Sequence, residues 1–74
     1  MVSVEELERR LVAALPGAAV TVVDTTGEGD HFEVRVRTAA FAGLSLVEQH
    51  RQVYGALGDL MPRVHALAIR TESA

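Results

Sequence analysis

The eight residues "HFEVRVRT", 31 to 38, alternate between apolar and charged after the leading histidine, and that alternation limits what the chain can fold into. Successive side chains of a strand point to opposite faces, so Phe32, Val34 and Val36 face a core while Glu33, Arg35 and Arg37 face out. A sheet built around such a strand is covered on one side and open on the other. With 74 residues the chain buries only about 60% of the surface its unfolded form exposes, which leaves a small core and no room for a large enzyme cleft.

Two amphipathic segments supply the cover. "SVEELERRLVAAL" opens with Ser3 and Glu6 at capping-box spacing, with Val2 and Leu7 at the flanking hydrophobic-staple positions. Val4, Leu7, Leu11, Ala14 and Leu15 fall on one face, Glu5 with Arg9 and Glu6 with Arg10 stand one turn apart outside it, and Pro16-Gly17 ends the helix. Ser45 and Glu48 repeat the capping-box spacing and start a second helix, "LVEQHRQVYGALGDLM", which Pro62 ends. Leu46, His50, Val53, Leu57 and Leu60 or Met61 share one face of it, so His50 lies in or beside an apolar stripe. Between these helices "AAVTVVDT" reads as a first strand, "TGEGD" as a flexible hairpin loop, and "AAFAG" as an irregular segment or a single helical turn ending at Gly43. "VHALAIRT" is the third strand, and "ESA" reads as a free tail.

The predicted fold is a single α+β domain over residues 1–74: a three-stranded mixed sheet covered on one face by helices. The hairpin makes the first two strands antiparallel, and the helical crossover makes the second and third parallel. As neighbours, those parallel strands start at the same edge of the sheet, which brings His31 and His65 to one rim. Strict alternation opposes this: His31 has the parity of the outward residues, whereas His65 has that of Leu67 and Ile69, expected to be buried. Either the strand ends depart from ideal pleating or the two rings do not share a target.

Composition excludes several chemistries. The chain has no cysteine, hence no disulfide, no thiolate nucleophile and no cysteine-based zinc site; a bound metal must use imidazole, carboxylate or a partner's ligands. A net charge of −3 argues against broad polyanion binding. All seven basic residues are arginine, which with the Ala, Val and Gly content suggests a GC-rich bacterial source. No signal-peptide pattern opens the chain and no apolar run is long enough for a membrane span, so a cytoplasmic protein is expected. His31 or His65 as a general base would lack a nucleophile, a phosphate loop or paired carboxylates, and Ser45 is a helix cap; no enzyme is expected.

"FAGLSLVEQHRQVYGAL" followed by "PRVHALAIRT", with "GDHFEVRVRT" upstream, resembles the BolA family over about Val22 to Thr71. The resemblance implies a class II KH-like αββααβ fold and a non-enzymatic partner of monothiol glutaredoxins, active in stress response, transcription control or iron-sulfur trafficking. In such a heterodimer a 2Fe-2S cluster is bridged by the glutaredoxin's cysteine, glutathione and nitrogen ligands from the BolA-like protein, which holds no cluster alone and is a monomer or weak homodimer. His65 stands where the family has its near-universal histidine, and His31 stands where members carry a Cys or His second ligand. Imidazole binds iron well, and replacing thiolates by histidines raises a cluster's potential. Asp30, beside His31, is a candidate to orient that ring. The sequence departs from the family after the third strand, where "TESA" replaces a Thr-Pro and acidic-aromatic continuation; if that continuation grips the glutaredoxin, affinity is lower here.

A second reading is nucleic-acid binding and transcription control. KH-like domains use a GxxG loop between helices, but "GALG" at 55 to 58 falls within the second helix and reads as coincidence. Arg35, Arg37 and Arg51 form a small basic surface in this reading, which implies weak, salt-sensitive DNA binding.

Overall fold

A computed structural model describes residues 2–74; Met1, the first residue of the expected domain, lies outside the described residues. Ser3 caps α1 (Val4–Ala14) by accepting the Glu6 N–H at 3.1 Å. Val2, Leu7 and Leu11 are buried together, as the staple requires. Ala14 departs from the expected stripe and is exposed, because Leu15 takes the last inward position as the helix ends. The expected Glu6–Arg10 pair is replaced by two tertiary pairs, Arg10 to Asp59 at 2.6 Å and Arg63 to Glu6 at 3.9 Å. The hydrogen bond from Arg10 lowers the Asp59 pKa below the ordinary carboxylate value. That contribution is therefore present above the ordinary value and lost as pH falls through the lowered one, and at so exposed a site it is small.

Strands β1 (Ala19–Asp24), β2 (His31–Thr38) and β3 (Ala66–Ser73) form one sheet in the order β1-β2-β3. β1 runs antiparallel and β3 parallel to β2, as the hairpin and the crossover demand. The register sets Val22, Val34 and Ile69 in one row on the helix side, with Phe32 beside Leu67 and Val36 beside Val20. Phe32, Val34 and Val36 are almost completely buried against Leu7, Leu11, Val53 and Leu57 from the helices. The other sheet face is open.

The crossover runs through a 3-10 turn (Ala39–Phe41), α2 (Leu46–Leu57) and a second 3-10 segment (Gly58–Arg63). Ser45 accepts the Glu48 N–H at 3.2 Å and donates to its carboxylate at 3.2 Å, completing the cap predicted for α2. The helix ends four residues earlier than its apolar pattern implies. Gly58 adopts a φ of +44°, a conformation that stops the helix, and the chain then turns to bury Leu60. "GALG" therefore straddles the end of α2 rather than lying within it, its second glycine serving as the helix stop. Leu46, expected on the inner face, is 61% exposed, while Val53, Ala56 and Leu57 carry the packing. Gln49 ties α2 to β3 by accepting the Thr71 hydroxyl at 2.6 Å. "ESA" is no free tail: Glu72 and Ser73 continue β3 beside Arg37 and Thr38, and the Ala74 N–H donates to the Thr38 carbonyl at 3.3 Å. β2 runs on to Thr38 and so offers those residues a partner. The order αββααβ over a mixed three-stranded sheet is the class II KH-like fold.

The β1–β2 loop positions the rim of the sheet and is not the flexible hairpin expected. Asp24 accepts the N–H groups of Thr26 (3.3 Å) and Gly27 (2.9 Å) on one carboxylate oxygen and that of Gly29 (2.9 Å) on the other. Gly27 and Gly29, with φ of 77° and 76°, supply the left-handed backbone of this turn. The Thr26 hydroxyl donates to the Asp30 carboxylate at 3.0 Å, and Thr25 donates to the His31 carbonyl through both its N–H (3.0 Å) and its hydroxyl (3.1 Å).

Two outcomes follow from this packing. Leu11→Ala, at a fully buried site, is expected to lower unfolding stability by about 2–5 kcal/mol in a urea melt, and a loss below about 1 kcal/mol would contradict the core described. Asp24→Ala removes a charged acceptor from three amides and is expected to cost about 1–3 kcal/mol. Hydrogen exchange at Gly27 and Gly29 should accelerate in that variant; unchanged protection there would dissociate the loop from Asp24.

Candidate functional site

The rim where β2 and β3 begin gathers two of the three histidines. The Asp30 carbonyl accepts the N–H groups of both His65 (2.9 Å) and Ala66 (3.0 Å), and the parallel register sets His31 beside Ala66. The imidazoles of His31 and His65 consequently stack, with ring centroids 4.9 Å apart and planes inclined by 15°. His31 is half-buried and His65 exposed. The burial expected for His65 from its parity with Leu67 and Ile69 is corrected. β3 starts at Ala66, so His65 lies just before the strand, where alternation no longer dictates its direction, while Leu67 and Ile69 remain half-buried on the helix side.

Neither imidazole makes a hydrogen bond among the described residues, which leaves their lone pairs open to a ligand. Among the described residues no three His, Cys, Asp or Glu side chains come together as a metal cluster, so the rim offers two donors and no third. Asp30 acts here through its backbone: its carboxylate takes the Thr26 hydroxyl, while its carbonyl anchors the residue bearing the second ring. His50 stands apart, half-buried on α2 beside Ile69 and Thr71.

Arg35 and Arg37 lie on the open sheet face, as their parity requires. Arg51 does not join them: it borders Ala14 and Leu15 on the helix side of the sheet. Arg70 takes its place, directly beside Arg35 in the β2–β3 register, and Glu33 bridges the two at 3.0 Å from Arg35 and 3.7 Å from Arg70. Sequence reasoning passed over both Arg70 and Asp24. The signal for Asp24 was local, an aspartate followed by a glycine-bearing turn whose amides its side chain can collect; Arg70 needed the strand register.

A family model described as BolA-like protein matches residues 10–74. An uncharacterized protein of Rickettsia prowazekii is 36% identical over 73 residues, spanning 97% of this chain and 95% of that protein. The DNA-binding transcriptional regulator BolA of Escherichia coli K12 is 33% identical over 75 residues, 90% of this chain and 71% of that protein. A solved bolA protein homologue from Coxiella burnetii shares the fold with a TM-score of 0.82 and 31% identity, covering 99% of this chain and 92% of that one. Members of this family are non-catalytic regulators. Among the described residues no helix is long and apolar enough to cross a membrane. With the αββααβ fold and a family match over residues 10–74 in agreement, the chain belongs to the BolA family.

Proposed function

We propose that the chain is a cytoplasmic partner of a monothiol glutaredoxin and co-ligates a 2Fe-2S cluster through His65 and His31, in iron-sulfur trafficking or iron-linked regulation. The observation that supports this reading is the stacked imidazole pair at 4.9 Å at the rim, His65 exposed and His31 half-buried, neither ring hydrogen-bonded among the described residues. Neutral imidazole is a suitable donor to iron, one stacked ring must turn for both to reach the same metal, and with no cysteine in the chain the thiolates come from the partner's cysteine and from glutathione. A cluster held this way carries electron or iron-sulfur cargo, with a potential raised by its nitrogen ligands. The chain's own part is positional. The Asp30 carbonyl holds the backbone of His65, and the Asp24-centred loop holds the backbone of His31, so both rings are presented together before a partner arrives. Two donors do not hold a cluster alone, and the isolated chain carries none in this reading.

A second reading, DNA binding, draws on the open-face arginines Arg35, Arg37 and Arg70, and on the similarity to the E. coli protein named as a DNA-binding regulator. Three phosphate contacts imply weak binding with a salt slope of roughly −3.

Visible circular dichroism during titration into a cluster-loaded monothiol glutaredoxin with glutathione tests the first reading. The wild type is expected to give a new spectrum, His65→Ala none, and His31→Ala an altered one, with all three retaining far-ultraviolet signals of the fold. A wild type that changes nothing, or a His65→Ala variant that matches it, would remove the rim from cluster binding. For the second reading, labelled duplex DNA titrated at low salt is expected to bind weakly and to lose affinity in Arg35→Glu; no binding even at low salt would end it.

A further inference from the structure

The sheet leaves two strand edges without a partner strand, and they differ. β1 carries no charge from Ala19 to Val23, and the Asp24 carboxylate that ends it is occupied by loop amides. β3 is an edge of eight residues with no proline and an unbroken register, and it carries charges of both signs on the open face, Arg70 and Glu72. Such an edge is a template for a further strand unless something repels it.

The charges on this edge are unbalanced. Arg35 and Arg70 lie side by side, a costly placement of like charges, and share the single carboxylate of Glu33. Glu72 makes no ion pair among the described residues, although Arg37 is its neighbour in register. A surplus cation and an unpaired anion thus stand two residues apart on one edge. They complement each other across a twofold axis.

We infer that the β3 edge is a self-association surface on which a second copy of this chain adds its own β3 antiparallel about a twofold axis at Thr71. In that register Arg70 stands opposite Glu72 of the second copy, and Glu72 opposite its Arg70, on the open face of a continuous six-stranded sheet. Shifting the axis to Arg70 sets like charges opposite each other, and shifting it to Ile69 sets both charged residues opposite alanines, Ala68 and Ala66. Charge therefore selects one register. The guanidinium of Arg70 has donors enough to keep Glu33 and take a second carboxylate. Leu46, 61% exposed, borders with Thr71 the same open depression that Arg37, Arg70 and Glu72 line, so an exposed apolar side chain lies beside the charged edge. His65 lies six residues from the axis, about 20 Å along the strand, so the two histidine rims sit at opposite ends of the joined sheet and stay accessible. The association does not depend on the cluster reading. A seam of seven residues per strand is small, which implies a dissociation constant on the order of 0.1–1 mM.

Sedimentation equilibrium up to about 1 mM, at low and high salt, measures it. The wild type is expected to dimerise and to loosen with salt. Glu72→Arg, at a residue with no ion pair among the described residues, should weaken the dimer on the order of tenfold, and Arg70→Glu likewise. The double exchange Arg70→Glu/Glu72→Arg restores complementarity and should restore the dimer, while the two single variants mixed should associate with each other. Far-ultraviolet circular dichroism confirms that each variant is folded. A wild type monomeric throughout overturns the proposal, as does a dimer indifferent to both single exchanges or a folded double exchange that fails to recover.

Discussion

Burial of Phe32, Val34 and Val36 along one face of the central strand is the constraint on which the rest of the molecule rests. Both other strands pair with β2, and α1 and α2 bring Leu7, Leu11, Val53 and Leu57 against its inner row. Because side chains alternate, burying one row commits the other to the surface, and that second row is His31, Glu33, Arg35 and Arg37. One strand thereby sets the core, aligns the open face and places the first histidine at its starting rim.

The histidine pair is a product of backbone bonding at that rim. A parallel neighbour must begin at the same edge as β2, and the Asp30 carbonyl makes the junction specific by taking two consecutive amides of the incoming chain. The loop that carries Asp30 is in turn organised by Asp24, whose carboxylate satisfies three amides. A backbone held by such bonds at both histidines needs little ordering when a partner's ligands arrive, which reduces the entropic cost of assembling a shared site. In the cluster reading proposed above, the chain supplies part of a coordination sphere in this way.

The open face adds a second property, charge arranged along the sheet. Glu33 links β2 to β3 through Arg35 and Arg70, while Glu72, at the outer edge, has no ion pair among the described residues. The face is therefore patterned rather than uniformly basic, and recruiting Arg70 in place of Arg51 confines its positive charge to the middle of two adjacent strands. In a chain of net charge −3 this favours short-range, oriented contacts over broad polyanion binding.

The element order, both helix caps, the inner row of β2 and the parallel crossover were all legible in the sequence, because each depends on local chemistry: Ser3 and Ser45 cap within one turn, and apolar periodicity is written residue by residue. Legibility failed where a distant segment decided. α2 stopped at Gly58 although its apolar spacing continued, "ESA" became strand because Thr38 offered it a partner, and Arg10 left Glu6 for Asp59. The residue types at the rim, His31 and His65, were set by sequence alone, and so was the absence of any thiolate beside them. That the two rings meet at 4.9 Å was decided by the tertiary structure. Alternation predicts direction only inside a strand, and His65 stands one residue outside it, held there by the carbonyl of a residue 35 positions earlier in the chain.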